Sequence, residues 1–170
     1  SNLQQEELYT LNLGQLKEAL KFSVDHFADF EDEINRLNVV PVPDGDTGTN
    51  MYLTLSKAVD EIEGLKIDSI SELLEAFTNG ALMGARGNSG VIFSQLLRGF
   101  SEAIEAESEI GIDEIAWGLE NAAVVAYQGV MKPIEGTILT VAKEVGETAV
   151  SAAKDEREIV RFFQLIVEQA

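Results

Sequence analysis

Asp44 and Asp46, separated by a single glycine, are the side chains in this sequence best suited to hold a metal ion. Pro41 and Pro43 precede them, and each proline fixes its own φ and pushes the residue before it towards an extended conformation. Gly45 then allows a tight turn in which both carboxylates can point to one side. Because the two carboxylates repel each other, the turn favours a hard divalent cation such as Mg²⁺, whose coordination is completed by phosphate oxygens and water.

Hydroxyl and amide side chains follow this loop directly, at Thr47, Thr49 and Asn50. They fall in what the pattern predicts to be the first turn of a helix, where unpaired backbone N–H groups favour an anion. The loop and the helix start together predict a shared site for metal and phosphate. The same residues also suit an ordinary turn followed by an N-cap, so that interpretation stays open at this point.

A second glycine-rich segment, residues 84–90, lies between two predicted helices and reads Gly-Ala-Arg-Gly-Asn-Ser-Gly. Its glycines, Gly87 above all, would expose backbone N–H groups beside Asn88 and Ser89 at a helix start, which suits a phosphate. The segment lacks the lysine of a Walker A loop and follows no predicted strand, which also excludes the dinucleotide fingerprint. Arg86 could pair with a phosphate or be a surface cation, and an ordinary turn is the alternative for the whole segment.

Composition excludes several classes of protein. The 170-residue chain is long enough for one domain, and its formal charge of −18 disfavours binding to nucleic acid or anionic membranes. The absence of cysteine excludes disulfides, and there is no apolar run of about 18 residues or signal-peptide core. We therefore expect a cytoplasmic protein with no nucleic acid partner and no stable membrane insertion.

Apolar residues recur at helical spacing along most of the chain, and no segment alternates with period two. The predicted fold class is therefore all-α. The helices are expected at Leu16–Leu37, at Thr47–Glu63, from a cap at Ser69 or Ser71 to Leu82, at Val91–Glu105, from a cap at Asp113 to Gly129, at Thr137–Ala153, and from a cap at Asp155 to the end.

Three motifs, in residues 38–50, 84–90 and 131–139, together resemble the ATP-binding domain related to the L subunit of dihydroxyacetone kinase, the DhaL type. Within that family the chain is most similar to the N-terminal domain of the bacterial fatty acid kinase catalytic subunit. The resemblance covers essentially the whole chain. It implies one domain, a barrel of about seven to eight amphipathic helices with the nucleotide at one end. The family closes its nucleotide pocket with a segment that lies beyond Ala170, so we expect an N-terminal fragment of a longer subunit.

The resemblance implies ATP and two Mg²⁺ ions as cofactors, with Asp44 and Asp46 as metal ligands. Asn38 stands near a third aspartate of the family pattern and could ligate only through its neutral carbonyl. Asp46 and Thr49 would lie near the γ-phosphate as the catalytic residues. The positions that match nucleotide-contacting segments are Thr47, Gly48, Thr49, Asn50, Gly87, Asn88, Ser89, Gly129, Thr137 and Ile138.

The activity implied is Mg·ATP-dependent phosphoryl transfer to a fatty acid carboxylate, presented by a separate fatty-acid-binding partner of the DegV type, with a homodimer also allowed. The alternatives are a glycerone-type kinase subunit and a non-catalytic nucleotide-binding or partner-docking module. A haloacid-dehalogenase-like phosphatase would use Asp44 as nucleophile and Asp46 as acid and base, but no strand is predicted before them. An EF-hand is excluded, because the twelfth position counted from Asp44 is Leu55 rather than glutamate.

Overall fold

A computed structural model describes residues 6–37, 45–130 and 138–169 of the chain. Helices account for most of these residues, which confirms the predicted all-α class. Within the described ranges there are eight α-helices: α1 (Leu13–Phe27), α2 (Glu31–Leu37), α3 (Thr47–Gly64), α4 (Ile70–Gly84), α5 (Gly87–Glu102), α6 (Ile112–Gly129), α7 (Ile138–Ala152) and α8 (Ile159–Gln169).

The single helix predicted over Leu16–Leu37 is wrong, because the structure divides this segment in two. A 3₁₀ turn at Ala28–Phe30 separates α1 from α2. The apolar spacing had counted Phe30 in a buried face, whereas its side chain is 44% exposed. The turn contains no buried residue, so burial in the core does not hold it to the α-helical period. The second part, α2, packs against α3.

Two short strands, β1 (Thr10–Asn12) and β2 (Glu109–Gly111), were not predicted. They pair antiparallel, with Thr10 opposite Gly111. Three residues are too few to show the alternation by which a strand is recognised. The pair fastens the start of α1 to the start of α6, and the side chain of Asn12 also caps α1 by accepting from the Gln15 N–H at 2.8 Å.

Helix caps show where local sequence was decisive and where it was not. Ser69 is the N-cap of α4, as predicted, and its hydroxyl accepts from the Glu72 N–H at 3.1 Å. The cap predicted at Asp113 is wrong, because its carboxylate binds Arg157 at 2.8 Å. The cap predicted at Asp155 is also wrong, since α8 begins four residues later.

Glu158 takes over the role expected of Asp155 at the start of α8. It is a buried carboxylate that accepts from the Arg161 N–H at 3.0 Å. A carboxylate at a helix start also has a favourable interaction with the helix dipole. The helix therefore starts where this buried acceptor lies.

The apolar core joins α1, α3, α4, α6, α7 and α8, with Phe162 of α8 fully buried. Each of the helices α2 to α7 packs against the next helix in the chain. The backbone N–H of Ile159 donates to the Leu8 carbonyl at 2.8 Å, which brings α8 beside the start of the described chain. Closure into a barrel stays a prediction, and the predicted helix start at Thr137 lies outside the described residues.

Candidate functional site

The two predicted halves of the site meet where α3 and α5 begin. Ser89, in the first turn of α5, donates its hydroxyl hydrogen to the backbone carbonyl of Thr47, the first residue of α3, at 3.3 Å. Residues 46–50 and 86–90 together form what we call the α3–α5 corner. Two segments that are separated by a whole helix in sequence are therefore joined by a direct side-chain contact.

Thr54 makes a second link between the two helices. Its hydroxyl accepts from the backbone N–H of Arg86 at 3.2 Å and donates to the carbonyl of Asn50 at 2.7 Å. A Cβ added at Gly90 would collide with the same hydroxyl. The buried Thr54 thus determines how closely the start of α5 approaches α3, a role that the helical pattern did not reveal.

Position 87 requires a glycine for two reasons, its backbone conformation and the closeness of a neighbouring side chain. Its φ of +66° lies in the left-handed region that favours glycine, and an added Cβ would collide with the side-chain amide of Asn50. The N-cap residue, Arg86, makes no side-chain capping bond to α5. The N–H groups at the start of α5 are therefore open to a ligand, beside the exposed Asn88.

Two hydrogen bonds between Asn35 and Thr49, which we call the clasp, hold the first turn of α3 on the side that faces α2. The amide of Asn35, in α2, donates to the Thr49 hydroxyl at 2.9 Å and accepts from the Thr49 N–H at 3.0 Å. Gly48 lets α2 approach this turn, since an added Cβ would lie 2.5 Å from the Glu31 carbonyl oxygen. Sequence reasoning missed Asn35. The sequence feature that could have indicated it is the polar amide of Asn35 directly after Ile34, a residue of the predicted apolar face.

Asp46 occupies the N-cap position of α3 but makes no side-chain capping bond, and it is exposed. Its carboxylate is therefore not committed to the helix, as an ordinary N-cap would require. The other predicted metal ligands, Asp44 and Asn38, lie outside the described residues. Among the residues that are described, no group of three or more His, Cys, Asp or Glu side chains could hold a metal.

Helices α3 and α4 run in opposite directions. A Cβ added at Gly80 would lie 2.7 Å from Glu61 Cβ, whereas Gly84, at the end of α4, packs against Lys57, which lies one turn nearer the start of α3. The end of α4 and the start of α5 are thereby carried to the end of the bundle at which α3 begins.

Helices α5 and α6 also run in opposite directions. Gly99 faces Asn121, whereas Gly129, at the end of α6, faces Gln95, with an added Cβ 3.6 Å from its Cγ. This places Gly129 at the same end of the bundle as the α3–α5 corner. Its predicted contact with a nucleotide is therefore geometrically consistent, although Gly129 does not touch the corner residues.

Helix α7 returns antiparallel to α6. An added Cβ at Gly146 would lie 3.0 Å from Glu120 Cα, and Val150 and Ala153 share a shallow cavity of about 230 Å³ with Trp117, nearer the start of α6. The start of α7 at Ile138 therefore lies at the site end, whereas Thr137 is outside the described residues.

Helices α3, α5 and α7 consequently all present their N-termini at one end of the bundle. Each helix N-terminus carries a partial positive charge of roughly half an elementary charge. This local field favours an anion at the α3–α5 corner, even though the whole chain has a net charge of −18.

A cleft of about 410 Å³ adjoins the corner, between α3 and α4. It is lined by Lys57 and Arg86 together with Asp60, Glu61 and Met83. In the part of the chain that the structure describes, Lys57 and Arg86 form no ion pair. Arg86 is therefore free to turn towards a phosphate at the start of α5, as the sequence suggested.

The pKa shifts in the described residues belong to groups away from the corner, most of them in surface ion pairs. The Arg157 guanidinium donates to both carboxylate oxygens of Asp113, at 2.8 and 3.2 Å, and lowers the pKa of Asp113 below its ordinary value of 3.8. Lys21 similarly lowers the pKa of Glu63 through a contact of 2.8 Å. These pairs fasten helices together and contribute no titrating group to the site.

The Asp113–Arg157 pair should make stability sensitive to acid. Because the pKa of Asp113 is depressed by folding, the pair stabilises the fold fully above the unfolded-state pKa, and that contribution is lost as pH falls through the folded-state pKa. Asp113→Asn should therefore destabilise the protein at about pH 6 and have little effect at about pH 2. Urea unfolding across this range measures the difference. Glu75→Gln, an exposed carboxyl on α4, is the control, and an equal pH dependence in both variants would contradict the assignment.

Comparison with known proteins decides the family. Residues 41–170 match the family model of the DAK2 domain. The chain belongs to the DAK2 domain family. It is therefore a DhaL-type nucleotide-binding domain of the dihydroxyacetone kinase family, and the resemblance read from the motifs is confirmed at this level. The matched residues include both segments of the α3–α5 corner.

Several staphylococcal proteins are similar to this DAK2 domain. The uncharacterized protein SH1689 of Staphylococcus haemolyticus is 49% identical over 139 residues, which is 82% of this chain and 25% of that protein. The uncharacterized protein SAB1090 of Staphylococcus aureus shows the same identity and coverage. The chain thus spans about a quarter of the length of the curated relatives it matches.

None of the described helices combines the length and the apolar character that crossing a bilayer requires.

Proposed function

We propose that this DAK2 domain binds Mg·ATP at the α3–α5 corner and transfers the γ-phosphoryl group to a fatty acid carboxylate. The observation that carries the proposal is the Ser89–Thr47 hydrogen bond, which joins two helix N-termini into one anion-ready corner. Gly87 lets the backbone there pass close to Asn50, since an added Cβ would collide with the Asn50 side chain. Membership of a family of nucleotide-binding domains supports ATP as the ligand.

Each part of the corner has a distinct role in the proposal. Asp46 and Asp44 hold the metal, with Asn38 as a neutral third ligand. When bound, two Mg²⁺ ions would neutralise phosphate oxygens and orient them for transfer. The start of α5 at residues 87–89 and the start of α3 at residues 47–50 donate to the phosphates. Gly129, Thr137 and Ile138 line the rest of the nucleotide.

A carboxylate acceptor suits the side chains present. Its oxygen attacks the γ-phosphorus, the bond to the β–γ bridging oxygen breaks, and ADP leaves with the electron pair, giving an acyl phosphate. An ionised carboxylate has no proton to lose, so this transfer needs no general base. The described part of the corner offers no histidine, cysteine or lysine for that purpose, and positioning with charge neutralisation supplies the catalysis.

The acceptor is proposed to arrive on a separate fatty-acid-binding partner of the DegV type, in the cytoplasm. A glycerone-type substrate is the second candidate within the family, and its hydroxyl would have to lose a proton during the transfer. Asp46 is the exposed carboxylate of the described corner that could accept it. Turnover with acyl-loaded partner but not with glycerone distinguishes the two acceptors, and nucleotide binding without turnover on either identifies a non-catalytic module.

Calorimetric titration of the chain with ADP and with ATP, each with and without Mg²⁺, tests the nucleotide site before any acceptor is chosen. We expect saturable heat for both nucleotides in the presence of Mg²⁺, and much weaker binding when the metal is removed by chelation. Binding that does not depend on Mg²⁺ would contradict the metal assignment. No binding of either nucleotide would overturn the proposed function.

A further inference from the structure

The orientation of the Asn35 amide follows from the chemistry of its partner. The backbone N–H of Thr49 can only donate, so the atom that faces it at 3.0 Å must be the Asn35 carbonyl oxygen. The amide nitrogen then faces the Thr49 hydroxyl oxygen, at 2.9 Å. Because an amide nitrogen can only donate, the Thr49 oxygen is the acceptor in this contact.

This contact leaves the hydroxyl hydrogen of Thr49 without a partner inside the described structure. Two other hydroxyls, which link α3 and α5, have already donated theirs, Ser89 to the Thr47 carbonyl and Thr54 to the Asn50 carbonyl. No described atom accepts a hydrogen bond from the hydroxyl of Thr49. Of these three hydroxyls, Thr49 is the one poised to donate to a ligand without first breaking a bond.

The clasp also changes which backbone groups are available. The N–H of Asn50 donates to the Asp46 carbonyl at 2.9 Å, and the N–H of Thr49 is held by Asn35. Within the described first turn of α3, the backbone groups left for a ligand are those of Thr47 and Gly48. The hydroxyl of Thr49 therefore replaces its own N–H as the donor that this residue offers.

We infer that Asn35 is a positioning residue: it clasps Thr49 so that the hydroxyl hydrogen is directed at a phosphate oxygen in the α3–α5 corner. The inference rests on the proposed function. It adds a residue from α2, ahead of the aspartate loop, to the machinery of the site. Asn35 need not touch the ligand, since its effect passes through the orientation of one hydroxyl group.

A double-mutant cycle separates this role from a merely structural one. Asn35→Ala and Thr49→Val are each expected to weaken Mg·ATP binding by about 10- to 100-fold, the range for a hydrogen bond to a charged acceptor. In the Thr49→Val background, Asn35→Ala should cause less than about a twofold further loss, because no hydroxyl remains to orient. Losses that simply multiply would overturn the inference, as would unchanged affinity in Asn35→Ala.

Asn121 provides the matched control. It is another partly buried asparagine, and its amide donates to the Gly99 carbonyl at 2.7 Å, several turns of α5 away from Gly87. Asn121→Ala should lower the melting temperature while leaving Mg·ATP affinity within about twofold. An equal loss of affinity in Asn121→Ala would show that general loosening, and not the clasp, explains the result.

Hydrogen exchange of the Thr49 amide, measured by NMR without nucleotide, reads the clasp independently of the proposed function. We expect faster exchange at this amide in Asn35→Ala than in the unsubstituted chain or Asn121→Ala. Unchanged exchange would overturn the clasp. If the unsubstituted chain bound no Mg·ATP, the proposed function and the role of Asn35 towards a phosphate would both fail, while exchange would still decide whether Asn35 holds Thr49.

Discussion

Asp46→Asn is expected to reduce Mg·ATP affinity by about a hundredfold or more, because Mg²⁺ is usually held by one or two carboxylates and this change removes one of them. Asparagine has nearly the same shape and keeps a carbonyl oxygen, so the loss reports on charge. Calorimetric titration with ATP and Mg²⁺ measures the effect. The fold should be unaffected, since the carboxylate of Asp46 makes no capping bond to α3 and is exposed.

Asp155→Asn is the matched control for this prediction. Asp155 lies three residues after the end of α7, at the end of the bundle away from the corner, is exposed, and forms no ion pair within the described residues. It should leave Mg·ATP affinity within about twofold, because removing one distant surface charge changes little at physiological ionic strength. Asp46→Asn should also leave the melting temperature of the nucleotide-free protein unchanged or raise it, by relieving repulsion with Asp44. Equal affinities in Asp46→Asn and the unsubstituted chain would end the metal assignment.

Gly87→Val should abolish detectable nucleotide binding. A β-branched residue at φ +66° is strained by about 1 to 3 kcal/mol, and its Cβ would collide with the Asn50 side chain. The valine would also cover the backbone at the start of α5, to which a phosphate must come close. Titration with Mg·ADP measures binding, and urea unfolding measures how much of the loss comes from destabilisation.

Two further variants serve as a control and as a comparison for Gly87→Val. Gly64→Val changes the last residue of α3, where nothing lies within 4 Å of an added Cβ, and it should leave nucleotide affinity unchanged. Ser89→Ala removes one neutral hydrogen bond to the Thr47 carbonyl, worth about 0.5 to 1.5 kcal/mol, so its effect should be smaller than that of Gly87→Val. If Ser89→Ala were the more damaging change, the hydroxyl rather than the open backbone would be the main phosphate contact.

The limits of sequence reasoning are clearest in the first two helices. Apolar spacing over Leu16–Leu37 predicted one continuous helix, but spacing alone does not reveal whether a phenylalanine is buried in the core. Phe30 is 44% exposed, and its ring makes an edge contact with the nearby His26 ring. The 3₁₀ turn there lets α2 pack separately against α3. Because the sequence pattern did not predict this turn, it did not predict that Asn35 lies beside Thr49.

The helix caps also divide into those that local sequence predicts and those that tertiary contacts decide. Ser69 acts within its own turn, and its role was predicted correctly. Asp113 and Asp155 are equally good caps by residue type, yet Asp113 is drawn to Arg157, which lies far along the chain. At α8 the buried Glu158 accepts the helix N–H instead of Asp155. A competing partner brought in by the fold cannot be read from the local pattern.

By itself, the sequence determined the all-α class, most of the helices and the family, because helical periodicity is local and the glycine, aspartate and hydroxyl motifs are contiguous. It also identified the two segments that meet at the α3–α5 corner. Only the tertiary structure decided how they meet, through Ser89 and Thr47, and that Asn35 clasps Thr49. These contacts join residues from three different helices, and their distances depend on antiparallel packing over glycines that no local pattern specifies.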